Sequence, residues 1–199
     1  MMIQEILLAS NNEHKHREFA RLFDGVRVLE PRDIGMAFDF VEDGATFREN
    51  ALGKAMALYQ VAKRPVVADD SGLCVAALGG EPGIYSNRYG AGPDGTPLDT
   101  PRRNQLLLDR LKDATDRGAF FVCCIALVVT EHRYFLAQET VDGEIALAPR
   151  GAHGFGYDPL FTLPGRGATM AEVPDAVKDE VSHRGRAARR IMAILRSEG

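Results

Sequence analysis

The chain has 199 residues, 45% hydrophobic and 26% charged, an ordinary globular composition whose length suits one domain or two closely joined lobes. Lys and Arg number 24 against 28 Asp and Glu, for a formal net charge of −4. That excludes a broad positive field for nucleic acid and leaves room only for a local basic pocket. The longest apolar run, AFFVCCIALVV from Ala119, is too short for a membrane helix. The first strand starts too early to leave space for a signal peptide. Cys74, Cys123 and Cys124 read as buried, reduced thiols rather than a disulfide framework, which points to the cytoplasm.

In chain order, IQEILLA predicts a buried strand, and NNEHKHREFARLF a helix opened by an Asn cap. VRVLEP is a second short strand. Thr46-Phe47-Arg48-Glu49 matches a capping box and opens a helix running to about Lys63, before Pro65. RPVVADD is a strand expected to end on its two acids. Thr100-Pro101 starts another helix in cap-then-proline order. AFFVCCIALVVT and RYFLAQETV pair antiparallel around Glu131-His132. The terminal SHRGRAARRIMAILRS is an amphipathic helix with Ala187, Ile191, Ile194 and Leu195 on one side. Strands and helices alternate without a strict βαβ rhythm, so the expected fold is α/β, a mixed sheet flanked by helices. Two Gly- and Pro-rich stretches, 79–100 and 148–170, are long enough to be functional loops.

Several places could carry chemistry. A strand ending in small polar residues and leading into a helix, LLASNNEHK, gathers backbone N–H groups where an anion binds. Lys15 opposes the dipole of that helix unless an anion compensates it; a solvated surface lysine is the plainer reading. On the second helix Phe47, Ala51, Ala55, Leu58, Val61 and Ala62 form one stripe, with Lys54 inside it and Asn50 at its edge. Lys54 either snorkels out or meets an anion. Asp69-Asp70-Ser71-Gly72 is either a plain turn or a charged site. If the turn at Glu42-Asp43 folds against it, Glu42 and Asp70 supply two oxygen ligands for Mg²⁺. In GAHGFGYDPLF an aromatic between glycines could lie under a base, or its rings could simply plug the core. Lys178, His183 and Arg184 flank a helix start, with Ser182 as its cap, and cations there call for an acceptor.

The ordered motifs LASNNxxKxxE, FxENAxxKA, ADDSGL, GxPGIYSxRY, FGYDPLF and SHRxxA resemble, from about Leu8 to Ala188, the inosine/xanthosine triphosphate pyrophosphatase family. The resemblance implies one domain over residues 1–199, an elongated two-lobed α/β fold around a mixed sheet, with the active-site cleft between the lobes. It implies Mg²⁺-dependent hydrolysis of ITP, dITP or XTP to the monophosphate and pyrophosphate, a cytoplasmic enzyme, and a homodimer with no nucleic-acid or membrane partner. Ser10, Asn11, Asn12, Glu13, His14 and Lys15 would cradle the triphosphate, with Lys54 and Ser71. Asp70 would be the catalytic carboxylate and a metal ligand, Glu42 the second ligand, and Asp69 would orient the same site. Phe155, Gly156, Tyr157, Asp158, Lys178, His183 and Arg184 would hold the base. Donors there can bond the oxygen at C6 of hypoxanthine or xanthine but not the amino group of adenine. Guanine shares that oxygen, so its rejection requires a further feature around C2. Many members read Thr-Gly-Asn where this chain has Ser10-Asn11-Asn12, and a smaller residue is frequent where it has Glu81. Loss of that glycine raises the prospect of a changed loop. The competing readings are a pyrophosphatase for other nucleotides and a nucleotide sensor without chemistry.

Overall fold

The computed structural model describes residues 3–197. Six strands form one mixed sheet in the order β2-β1-β3-β4-β5-β6. They are β1 (Glu5–Leu8), β2 (Arg27–Leu29), β3 (Val66–Val75), β4 (Gly118–Thr130), β5 (Arg133–Ile145) and β6 (Phe161–Thr162). The α-helices are α1 (Glu13–Leu22), α2 (Phe47–Ala62), α3 (Thr100–Arg110), α4 (Asp175–Val181) and α5 (His183–Ser197). β1 runs parallel to both β2 and β3, and β5 antiparallel to β6. β4 and β5 are neighbours joined by two residues, a link that only an antiparallel pair permits.

The chain divides into two compact units. The first takes the described residues of Met1–Asp70, Cys123–Glu139 and His183–Gly199; the second takes Ser71–Val122 and Thr140–Ser182. In the first unit, one apolar cluster joins Phe19 and Phe23 of α1 to Val67, Cys123, Ile125 and α5 residues Ala187, Ile191 and Leu195. A second joins Ala51, Ala55 and Leu58 of α2 to Val66, Ala68, Cys124 and Ala126. Adjacent cysteines thus serve opposite faces of β4, as strand alternation requires, and all three cysteines are free and buried. The second unit is built on Leu73, Val75, Leu107, Phe121, Val141, Tyr157 and Phe161.

The caps are close to expectation. Asn12 caps α1, its side chain accepting from His14 N and Lys15 N. Thr46 accepts from Glu49 N at 3.1 Å, but Glu49 answers to Ala45 N at 2.8 Å, one residue before the cap, so the box is offset. α3 is capped by Asp99, not Thr100; its carboxylate accepts from Arg102 N at 2.9 Å, and an ionised acceptor is the stronger cap. Val61, expected on the inner stripe of α2, is 63% exposed, whereas Ala62 of the same stripe still packs against the core. The main correction concerns β3. It does not stop at Asp69-Asp70 but continues through Ser71-Gly72 to Val75, so the acids lie within a strand and not at a turn. Among the described residues no helix is long and apolar enough to cross a membrane.

Candidate active site

Because successive strand side chains alternate, Asp69 falls on the face of β3 shared with Val67, towards α1 and α5. Asp70 falls on the face shared with Val66 and Ala68, towards α2. The neighbours of each acid follow from that parity.

Asp69 is fully buried. Its Oδ1 lies 3.0 Å from Lys15 Nζ, and its Oδ2 accepts from Arg184 Nε at 3.2 Å and Nη2 at 3.0 Å. Arg184 Nη1 donates to Glu18 Oε2 at 2.7 Å. A chain of alternating charge, Lys15–Asp69–Arg184–Glu18, therefore crosses the interior of the first unit. Burial alone would raise the pKa of Asp69, but Lys15 and Arg184 outweigh it and hold the carboxyl well below its ordinary range. Arg184 stays firmly charged: burial works against it, and Asp69 and Glu18 override burial.

Asp70 stands otherwise. Its Oδ2 accepts from Asn50 Nδ2 at 2.9 Å, and Asn50 Oδ1 accepts from Gly44 N at 2.8 Å. Asn50 thus ties the turn carrying Glu42 to the strand carrying Asp70. Gly44 has to be glycine, since a Cβ there would lie 2.7 Å from Asn50 Oδ1. Lys54 is 7% exposed and pairs with Glu42. The lysine on the inner stripe of α2 therefore meets an anion and does not snorkel. The pKa of Asp70 is raised, first by burial and then by the negative Glu42, while the Asn50 hydrogen bond and the two lysines pull it back. Among the described residues no group of three or more His, Cys, Asp or Glu side chains is arranged to hold a metal ion.

The loop 154–158 belongs to the second unit. Asp158 Oδ2 accepts from Phe155 N at 2.8 Å and from Lys178 Nζ at 2.5 Å. Lys178 is 2% exposed, and its ammonium lies 5.0 Å from the centroid of the Phe155 ring. Gly154, at φ +72°, leaves the space that Asp158 fills; a Cβ there would lie 2.1 Å from Asp158 Oδ2. Gly156 is also left-handed, at φ +63°. Tyr157 does not face outward. It is buried, and its hydroxyl donates to Ser86 O at 3.0 Å.

The cations around the last helix find the acceptors that their position called for: Asp158 for Lys178, and Glu18 with Asp69 for Arg184. Arg184, assigned to the base by resemblance, directs all three guanidinium nitrogens to those two carboxylates. His183 is buried at the start of α5, and Ser182, in extended conformation before it, donates its N–H to Lys178 O at 2.9 Å. At the other end of the chain, the anion site expected at α1 is partly used up. Asn12 Oδ1 takes the amides of His14 at 2.9 Å and Lys15 at 3.3 Å, and Ser10 Oγ accepts from Asn12 N at 3.1 Å. Asn11 is exposed, donates to Phe38 O at 2.9 Å, and has no positive φ, so the missing glycine costs no strain. Glu13 and His14 are exposed, and Ser71 is half-buried. Glu81, the other departure, accepts from Tyr89 Oη at 2.9 Å and Arg110 Nη2 at 3.2 Å.

Two residues received no role from the sequence: Asn50, which orients Asp70, and Glu18, which balances Arg184. Both stood in quoted motifs, FxENAxxKA and LASNNxxKxxE, and the place of Asn50 at the edge of an otherwise apolar stripe was a usable signal.

The mixed α/β sheet thus carries two buried carboxylates mid-strand, Asp69 paired with Lys15 and Arg184, and Asp70 held by Asn50 beside the Glu42–Lys54 pair. Residues 6–194 match the model of the Ham1 family, and the chain belongs to that family. It is 46% identical over 183 residues to a dITP/XTP pyrophosphatase of Treponema denticola, covering 92% of this chain and 94% of the other. It is 45% identical over 194 residues to one of Burkholderia pseudomallei, covering 96% and 92%. Among solved structures it is similar to the Ham1 protein of Staphylococcus aureus, with TM-score 0.85 and 40% identity over 98% of this chain and all of the other. It is also similar to a HAM1 protein from Coxiella burnetii, with TM-score 0.86 and 38% identity over 99% of this chain and all of the other.

Proposed function

We propose that the chain hydrolyses non-standard purine nucleoside triphosphates, ITP, dITP and XTP, to the monophosphate and pyrophosphate. The observation that carries the reading is Asp70. This buried carboxylate is held by Asn50 and crowded by Glu42, with Lys54 alongside. The dITP/XTP pyrophosphatases among its relatives support the substrate class.

The reaction is attack of water on the α-phosphorus with departure of pyrophosphate. Asp70 accepts the water proton; a pKa raised from its ordinary value by burial makes it a better base than a surface acid. Asn50 fixes the plane of that carboxylate. Lys54 and Lys15 bring positive charge to the phosphates, and electrostatic stabilisation of this kind is the main lever in phosphoryl transfer. Ser10, Asn12 and the first turn of α1 shape the phosphate side, and Ser71 follows the acids on β3. Asp69 works one step back: it holds Lys15 and Arg184 in place.

Glu42 and Asp70 fit Mg²⁺, which takes one or two carboxylates and keeps waters and substrate phosphates as its other ligands. The fit rests on charge: burial and Glu42 disfavour ionised Asp70, and a divalent cation would offset both. When bound, it would neutralise phosphate charge and help orient the water.

On the base side, Phe155 offers a ring face, and Lys178, fixed by Asp158, offers a cationic donor for an oxygen at C6. Gly156 and Asp158 shape the loop, Tyr157 anchors it, and His183 adds a ring at the start of α5. Arg184 acts through Asp69. Three free, buried cysteines support a reducing compartment, the cytoplasm, and the family resemblance supports a homodimer.

Pyrophosphate release from ITP, with and without Mg²⁺ and beside GTP and ATP, tests the reading. Fast metal-dependent release from ITP is expected. No release from any of the three would leave nucleotide binding without chemistry.

A further inference from the structure

The motif GxPGIYSxRY and helix α3 stand outside the reaction as described, yet both reach the loop 155–158 from within the second unit. Asn104 of α3 is 4% exposed and donates from Nδ2 to Gly156 O at 3.1 Å. Because Gly156 O can only accept, the amide orientation is fixed. Asn104 Oδ1 then sits buried with no hydrogen-bond partner among the described residues. An apolar side chain would avoid that cost. Ser86 is 7% exposed and works at three points. Its carbonyl accepts from Tyr157 Oη at 3.0 Å, its Oγ accepts from Leu73 N of β3 at 2.9 Å, and the same hydroxyl donates to Gly83 O at 2.6 Å. Arg103 closes the frame. Its guanidinium donates to Asn87 O at 2.6 Å and lies 5.5 Å from the Tyr157 ring centroid.

We propose that Asn104 and Ser86 are positioning residues for base selection: they pin Gly156 and Tyr157, on either side of one peptide link, to α3 and to β3. With two adjacent residues held by different elements, the Phe155 ring beside them cannot tilt freely. The loop can then discriminate by geometry, since a hydrogen-bonding site rejects the wrong group only when its own donors cannot shift to avoid it. Ser86 also joins the loop to Leu73 of β3 within the second unit. The inference rests on the reading of Phe155 to Asp158 as the base platform.

The test compares kcat/KM for ITP and ATP in the full-length protein, the Asn104→Ala variant and a Phe155→Ala control. Loss of one pinning hydrogen bond is expected to lower the ITP-to-ATP ratio roughly three- to tenfold. The change should come through KM for ITP, with kcat for ITP and the ATP constants little altered. A merely structural residue would lower both substrates together. If Phe155→Ala lowers the ratio and Asn104→Ala does not, the positioning role is overturned while the base platform stands. If Phe155→Ala leaves the ratio intact, the platform reading falls and the inference with it. Should Asn104→Ala fail to fold, Tyr157→Phe, which removes only the hydroxyl on Ser86 O, answers the same question.

Discussion

Asp69 and Asp70 are adjacent in the chain and carry the same side chain, yet β3 sends them to opposite faces and into opposite electrostatic conditions. Asp69 meets Lys15 and Arg184 and is held ionised; Asp70 meets Asn50 and Glu42 and ionises with reluctance. The first is paired with two cations and helps hold the interior of the first unit together. The second has its ionised form disfavoured by burial and by Glu42, a condition in which a carboxylate can take a proton or a cation. The proposed chemistry at this strand falls to the acid whose ionisation burial and Glu42 oppose.

The comparison can be broken in several ways. The largest effect expected is on turnover. Asp70→Asn should lower ITP hydrolysis by about 10²–10⁴-fold, the range for loss of a general base, read as initial rates of pyrophosphate release. Next is Asp69→Asn, which strips a buried charge partner from Arg184 and should cost about 3–5 kcal/mol of stability by denaturant unfolding. Glu18→Gln leaves Arg184 its Asp69 contacts but weakens one charged hydrogen bond, for about 1–3 kcal/mol in the same assay. Lys54→Ala frees Glu42 and removes a cation, so KM for ITP should rise about tenfold with a smaller change in kcat. The pH dependence of stability sharpens the contrast. Asp69 has a folded pKa below its ordinary 3.8; its stabilising contribution is complete above that value and is lost as the pH falls towards the folded pKa. Asp70 has the opposite sign: its ionisation costs stability as the pH rises past 3.8. Unfolding curves should therefore show an acid-side loss that Asp69→Asn abolishes and Asp70→Asn preserves.

Much of this was legible from residue order. Asn12 and Thr46 declared two helix starts through their side chains, and Lys54 betrayed an anion by interrupting an apolar stripe. Other features were not legible, for physical reasons. Ser71-Gly72 after two acids reads as a turn locally, but β3 is hydrogen-bonded between two strands, and tertiary pairing overrides local propensity. The Arg184–Asp69 pair spans 115 residues, and no local pattern reports a contact that distant. The cap at Asp99 rather than Thr100 was not legible, since a one-residue shift in a cap lies below the resolution of sequence signals. For Tyr157 the residue order left a base platform and a core plug both open, and its hydroxyl turned inward to Ser86 O.

The most direct test is to measure the thermal midpoints of Asp69→Asn and Asp70→Asn side by side at neutral pH, with ITP turnover on the same samples. The account predicts that Asp70→Asn melts at or above the wild-type temperature and is nearly inactive, while Asp69→Asn melts well below it. If Asp70→Asn were the destabilised variant, or if it turned over ITP at near wild-type rates, the division of labour between the two acids would be wrong.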